Sequence, residues 1–420
     1  MYPCLIMPKK ASPGTSVLVF HRLASSSDTE DLPAPGGPVT TTSSPTAALS
    51  KIRVRTPAVS RRLAWGVATQ PGHSLTVTGR QTLGARTLRE DVIAARHIEI
   101  ACDESGFSGG NLVGGQNTVF AHASVRIESP DARKLVDSLL RQIGAHGSGE
   151  YKAAELLRAR HRQVLLWLLG PSSPIQGNAC VHLTDTRFFV LARVVDVLLS
   201  GEPVQATACP GRHARTRPMA ITLCRSGEPT YGAHRWQEFL TLAANLFRTN
   251  NRWLPKTPIP LFYAAVEEMA RVSTTPDVQQ IMTMLQSTQP IAEATRAAHV
   301  QNPKLTPLLE PLIPALTRAV HFWGSGAQTI SVVHDEQSAL TPERIADIAR
   351  TFAASHPGGH LSGVTLVDSR GDPRVQLADF VAGIARRLAS EALKGRHDAE
   401  LLSLLRPLID SESVWASHIP

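Results

Sequence analysis

The chain has 420 residues, 42% of them hydrophobic, and a formal net charge of +8. That length suits two domains or one elaborated domain with a real core. No apolar run approaches the roughly eighteen residues of a membrane span, and no apolar leader with a cleavage site follows Lys9 and Lys10, so the expected compartment is cytoplasmic. The five cysteines, at 4, 102, 180, 209 and 224, are odd in number and show no Cys-x-x-Cys spacing. They argue for a reducing environment and against a disulfide framework.

The charge is unevenly placed. Residues 1–96 hold twelve Lys or Arg against five Asp or Glu, and the remainder holds thirty-one against thirty. The main body is therefore nearly neutral, and bulk charge gives little support for nucleic-acid binding by it.

Residues 1–90 are rich in Ser, Thr, Pro and Gly. They are expected to be disordered, or to precede the true translation start. A first strand is predicted over 97–103, ending in Asp103-Glu104-Ser105-Gly106. Strand alternation sends Asp103 and Glu104 to opposite faces. Glycines 109, 110, 114 and 115 lead into a second strand, 118–127, rather than a helix, so they read as turn formers and not as a phosphate cradle. A helix is predicted over 131–143, and another leads from Gly149 to about Leu169, carrying Lys152 and Glu155. A strand over 179–185 ends in Asp185, which either joins a site or caps the helix expected at 187–199.

Residues 201–230 read as loop or hairpin, and helices are predicted over 233–248, 261–271, 277–286, 291–300 and 305–322. The strand pattern resumes at 328–335, ending in Asp335 and Glu336, and a helix capped by Thr341 follows over 342–354. A last strand, 361–367, ends in Asp368, and a helix over 375–393 contains Asp379 in an apolar stretch. The expected class is α/β: a mixed sheet flanked by helices. Its parts are 91–200 and 328–395, with a mainly helical insertion at 201–327 and a C-terminal tail from 396.

Several strands thus end in acids, and strands running the same way present their C-terminal ends at one edge. Fixed carboxylates beside an open loop suit a hard divalent cation. Each acid also has an ordinary explanation: Asp368 as a strand-to-turn step, Asp379 as a solvent-facing group or a partner of Arg370 or Arg374. His334 points to the face opposite Asp335. Cys209, His213 and Cys224 lack a fourth ligand for zinc. No nucleophile elbow, Walker loop or dinucleotide fingerprint occurs.

Asp103-Glu-Ser-Gly106, Lys152-Ala-Ala-Glu155, Asp335-Glu-Gln-Ser338, Asp368-Ser369 and Gln376-Leu-Ala-Asp379 with Ala382-Gly383 occur in that order. Over residues 97–390 the set resembles the DUF3800 proteins of bacteria and phages, a family of uncharacterised function that looks ribonuclease-H-like. The resemblance implies a nuclease using two Mg²⁺ or Mn²⁺ ions. Asp103 would bridge the ions, and Glu155, Asp335 and Asp379 would ligate them. Glu104 and Asp368 would stand nearby, and Lys152 would contact a phosphate. Asp185 is an alternative to Asp335. Two other readings stay open: a non-hydrolytic module of a defence or mobile-element system, and a nucleotide hydrolase with the helical stretch as a lid.

Overall fold

In the computed structural model the described residues are 97–106, 112–115, 118–144, 153–248, 257–325, 329–396 and 398–416. The segment expected to be disordered, 1–90, and Lys152 lie outside them.

Five strands form one mixed sheet: β1 (His97–Ser105), β2 (Val119–Val125), β3 (Ala179–Asp185), β4 (Thr329–Asp335) and β5 (His360–Val367), in the order β3-β2-β1-β4-β5. β2 runs antiparallel to β1 and β3, whereas β4 pairs parallel with β1 and β5 with β4. β1, β3, β4 and β5 therefore all end at the same edge. β2 and β3 are buried along their whole length, which is why they read as nearly continuous apolar and small residues.

The helices divide between the faces. In chain order they are α1 (Ser129–Gln142), α2 (Ala153–Leu156), α3 (Arg162–Leu169), α4 (Thr186–Leu199), α5 (Arg217–Tyr231), α6 (Ala233–Leu246), α7 (Ile259–Val272), α8 (Pro276–Gln286), α9 (Gln289–Gln301), α10 (Leu312–Trp323), α11 (Pro342–Ser355), α12 (Pro373–Leu393) and α13 (Ala399–Leu405). One face packs Ala101, Ala121, Val181 and Val333 against α12, with α1, α3 and α13 around it. The other packs Ile100, Cys102, Phe120 and Val332 against α10 and α11. A further core joins α4 to α5, α6, α7 and α8. The α/β class, the mixed sheet and the mainly helical stretch between β3 and β4 are thus present.

Some local expectations change. The helix expected across 149–169 is broken: α2 is one turn, then a 3-10 turn at Ala159–His161 precedes α3. Residues 217–231, read as loop from their Pro and Gly content, form α5. Its Pro218 sits in the first turn, where no intrahelical N–H is needed, and Pro229 falls in the last turn. The helix expected to begin near 305 starts at Leu312, after Pro307 and Pro311, and packs on the sheet rather than in the insertion. Residues 398–416 do not run off as a tail. Asp410 N–H donates to Val181 O at 2.8 Å and Val414 N–H to Leu183 O at 2.8 Å, so this segment covers the outer edge of β3.

Candidate metal centre

Alternation along β1 sets the site. Ala101, Asp103 and Ser105 face α12, and Cys102 and Glu104 face the α10 side. Glu104 accordingly leaves the face of Asp103: its Oε1 accepts from Gln337 Nε2 at 2.5 Å, and Oε2 lies 3.9 Å from His334 Nε2. His334 is fully buried, and its Nδ1 lies 2.9 Å from the backbone carbonyl of Asp335. Burial holds its ring down at about 4, opposed by that bond and by Asp335.

Cys102 pairs with His334 in parallel register, so Asp103 and Asp335 stand side by side one residue further on. Neighbouring strands are about 4.8 Å apart, which brings the two acids into mutual range. Asp103 is only 6% exposed. Its Oδ1 accepts from the Glu104 N–H at 2.7 Å, and Asp335 Oδ1 accepts from the Ser369 N–H at 3.0 Å. One oxygen of each acid is thus pinned by a backbone amide. Burial first, and then the charges of Glu104, Asp379 and Asp335, push the Asp103 carboxyl up to about 9, the Glu104 N–H opposing them.

Asp379 comes from α12, whose start is set by Pro373 and by Asp372 accepting from the Arg374 N–H at 2.9 Å. It lines a cleft of about 340 Å³ together with Ser105, Ala153, Leu157, Arg386 and Arg387. Arg386 Nε donates to Ser105 Oγ at 2.9 Å. Two glycines shape the cleft. Gly106 turns the chain out of β1 at φ 99, and a Cβ there would lie 2.5 Å from the Val119 carbonyl. A Cβ on Gly383 would lie 2.3 Å from that of Ala153, so the glycine lets α2 seat against α12.

The remaining predicted residues have other partners. Glu155 is tied down by Arg158 at 2.8 Å and Arg160 at 2.7 Å, with His161 at 3.8 Å. Its neighbours Ala153 and Ala154 line the cleft; its carboxylate does not. Asp185 caps α4, accepting from the Arg187 and Phe188 N–H groups at 3.0 and 3.2 Å. It pairs with Val119 on β2, whereas Asp103 pairs with Ala123. That offset is about 13 Å along the sheet and about 10 Å across it, too far to share an ion with Asp103. Asp368 is exposed and bound to Arg370 at 2.5 Å, whose hydrogen bonds hold its carboxyl down at about 2.

The structure therefore gathers Asp103, Asp335 and Asp379, holds Asp185 away from Asp103, and engages Glu155 and Asp368 with arginines. Among the described residues no three His, Cys, Asp or Glu side chains are already arranged to enclose a metal ion. Ser105 and Arg386 are cleft residues that sequence reasoning passed over. Arg386 lies seven residues, about two turns, beyond Asp379 on the same helix, a spacing that puts both on one face.

No family model matches the chain, and no curated protein or solved structure is significantly similar to it. No described helix is long and apolar enough to cross a membrane.

Proposed function

We propose that the chain is a divalent-metal-dependent phosphodiester hydrolase of the DUF3800 type, a cytoplasmic nuclease with a ribonuclease-H-like organisation and a nucleic-acid substrate. The observation that carries this reading is the side-by-side placement of buried Asp103 and half-buried Asp335 at adjacent strand ends, with Asp379 presented from α12 at the neighbouring cleft. The donor chemistry fits Mg²⁺ or Mn²⁺: all oxygen, inward-facing and mutually repelling. A complete protein cage is not required, because Mg²⁺ commonly keeps several waters and takes one or two carboxylates plus substrate phosphates.

Asp103 and Asp335 would hold the ion through Oδ2, each Oδ1 being engaged by an amide. Asp379 would complete the charge balance. Asp103 would give up its proton as the cation arrives. When bound, the ion supplies Lewis acidity toward phosphoryl oxygens. Arg387, 57% exposed and held at 3.6 Å by Glu391, offers a guanidinium to a phosphate at the cleft rim. Lys152 remains a candidate for the same task.

The test is Mn²⁺-dependent cleavage of single- and double-stranded RNA, DNA and hybrids by wild type and Asp103→Asn. Activity in wild type and its loss in the variant are expected. Equal activity removes Asp103 from the mechanism. The arginine-bound state of Glu155 favours a second reading, a module that keeps the fold without hydrolysis. No cleavage of any substrate in the panel would support it.

A further inference from the structure

Away from the carboxylates, several charged groups gather around one sulfur. Cys209 lies half-buried in the loop after α4. Its Sγ is 3.9 Å from Nε2 of His182 on β3, and Nδ1 of that ring is 3.0 Å from Oδ2 of Asp410. Thiol, imidazole and carboxylate stand in line, the order in which a base is oriented by an acid and in turn activates a nucleophile. Asp410 is itself fixed by Arg318 of α10, whose Nε and Nη2 donate at 3.1 and 3.0 Å. The loop that delivers the sulfur is fixed as well. Arg193, fully buried on α4, donates to the carbonyls of Gln205, Ala206 and Ala208 at 3.0, 3.3 and 2.7 Å.

The sulfur thus faces cations from three elements: His182, Arg318 and Arg193. The anions nearby are already committed. Asp410 holds His182 and Arg318, Asp196 faces Arg193, and Glu412, which faces Arg318, pairs with Arg212 at 2.7 Å. Burial works against a charged His182, but the Cys209 sulfur and Asp410 together push the ring up to about 9. An electropositive, partly exposed setting is what distinguishes reactive cysteines from inert ones. The other described thiols lack it: burial pushes Cys102 and Cys180 up, and Cys224 up to about 12.

We propose that Cys209 is a reactive-thiol site that passes its proton to His182 and is oxidised by hydroperoxides. The sulfur attacks the distal peroxide oxygen, an S–O bond forms and the O–O bond breaks. The sulfur is oxidised by two electrons to the sulfenic acid. The peroxide is reduced to alkoxide or hydroxide, which takes the proton from His182 Nε2. Neither the sulfur nor its partners belong to the carboxylate centre, so the proposal stands or falls separately from the hydrolase reading.

The full-length wild type is alkylated with iodoacetamide at pH 6.0 and pH 8.5, and rates are read site by site by peptide mass spectrometry. The Cys209 rate should fall less than about threefold between the two, whereas an ordinary thiol near 8.5 falls on the order of a hundredfold. In a second arm, hydrogen peroxide at pH 6.0 followed by dimedone should label Cys209 at least about tenfold faster than Cys224, as thiolate character selects the oxidised site. His182→Gln should restore the ordinary pH dependence. A hundredfold fall in wild type, or labelling of Cys209 no faster than of Cys224, overturns the proposal. Both wild-type measurements decide it even where the variant fails to fold.

Discussion

With its proton held to about pH 9 by burial and by the charges of Glu104, Asp379 and Asp335, Asp103 opposes folding wherever the unfolded chain ionises it. The folded value lies above the unfolded one. Its contribution is therefore most favourable below about pH 4 and is lost progressively as pH rises toward 9. Asp103→Asn removes that loss. In the absence of divalent ions the variant should melt several degrees above wild type at pH 8 and about level with it at pH 4, as a gain of roughly 1–3 kcal/mol implies. Thermal melts at the two pH values check this. Equal melting of the two proteins at pH 8 would mean that the acid is not held protonated. Glu104 shows how much one residue's place in a strand decides. Adjacent in sequence, it is directed to Gln337 on the other face.

The close seat of α2 on α12 depends on the missing side chain at 383, since a Cβ would come within 2.3 Å of Ala153 Cβ. Gly383→Ala should cost about 1–3 kcal/mol, the usual range for overpacking. Urea denaturation reads this as a lower midpoint at an unchanged slope. An unchanged midpoint would show that α2 shifts without cost. At this scale much of the fold was legible. The strand predicted over 97–103 announces itself by alternation and that over 179–185 as a short run of apolar and small residues, each with its terminal acid, and the helices of the insertion by their apolar spacing. The arginine partners of Glu155 were not foreseen, because the broken helix brings Arg158 and Arg160 back onto its carboxylate. The i,i+3 spacing of Arg158 was a visible signal for that local pairing. α5 was hidden by Pro218 and Pro229, which the helix tolerates only because they fall in its end turns.

Contacts between remote stretches were not legible at all. Asp410 lies 228 residues from His182, and no local pattern joins them. Their pairing follows from the C-terminal segment closing the edge of β3, which is settled by the tertiary fold rather than by propensity. Asp410, 2% exposed, is the counter-charge for both His182 and Arg318. Asp410→Asn should cost on the order of 3 kcal/mol, because it leaves the buried His182 and the half-buried Arg318 without their partner. His182, raised to about 9, contributes stability that is complete below pH 6.5 and lost as pH rises through 9. That decline should shrink in the variant, as urea melts at pH 6 and pH 9 would register. An equal decline in both proteins would mean that Asp410 does not hold the proton on the ring. The molecule as a whole thus places its two polar clusters on opposite sides of one sheet, and the hydrolase reading rests on the α12 side alone. The most direct test of that reading is calorimetric titration of the full-length protein with Mn²⁺ at pH 7.5, beside Asp103→Asn and Glu155→Gln. Wild type and Glu155→Gln should bind with affinities within about threefold of each other, and Asp103→Asn should lose more than about a hundredfold, beyond the roughly 10–100-fold typical of removing an outer partner. No heat of binding in wild type, or undiminished binding by Asp103→Asn, would contradict the account.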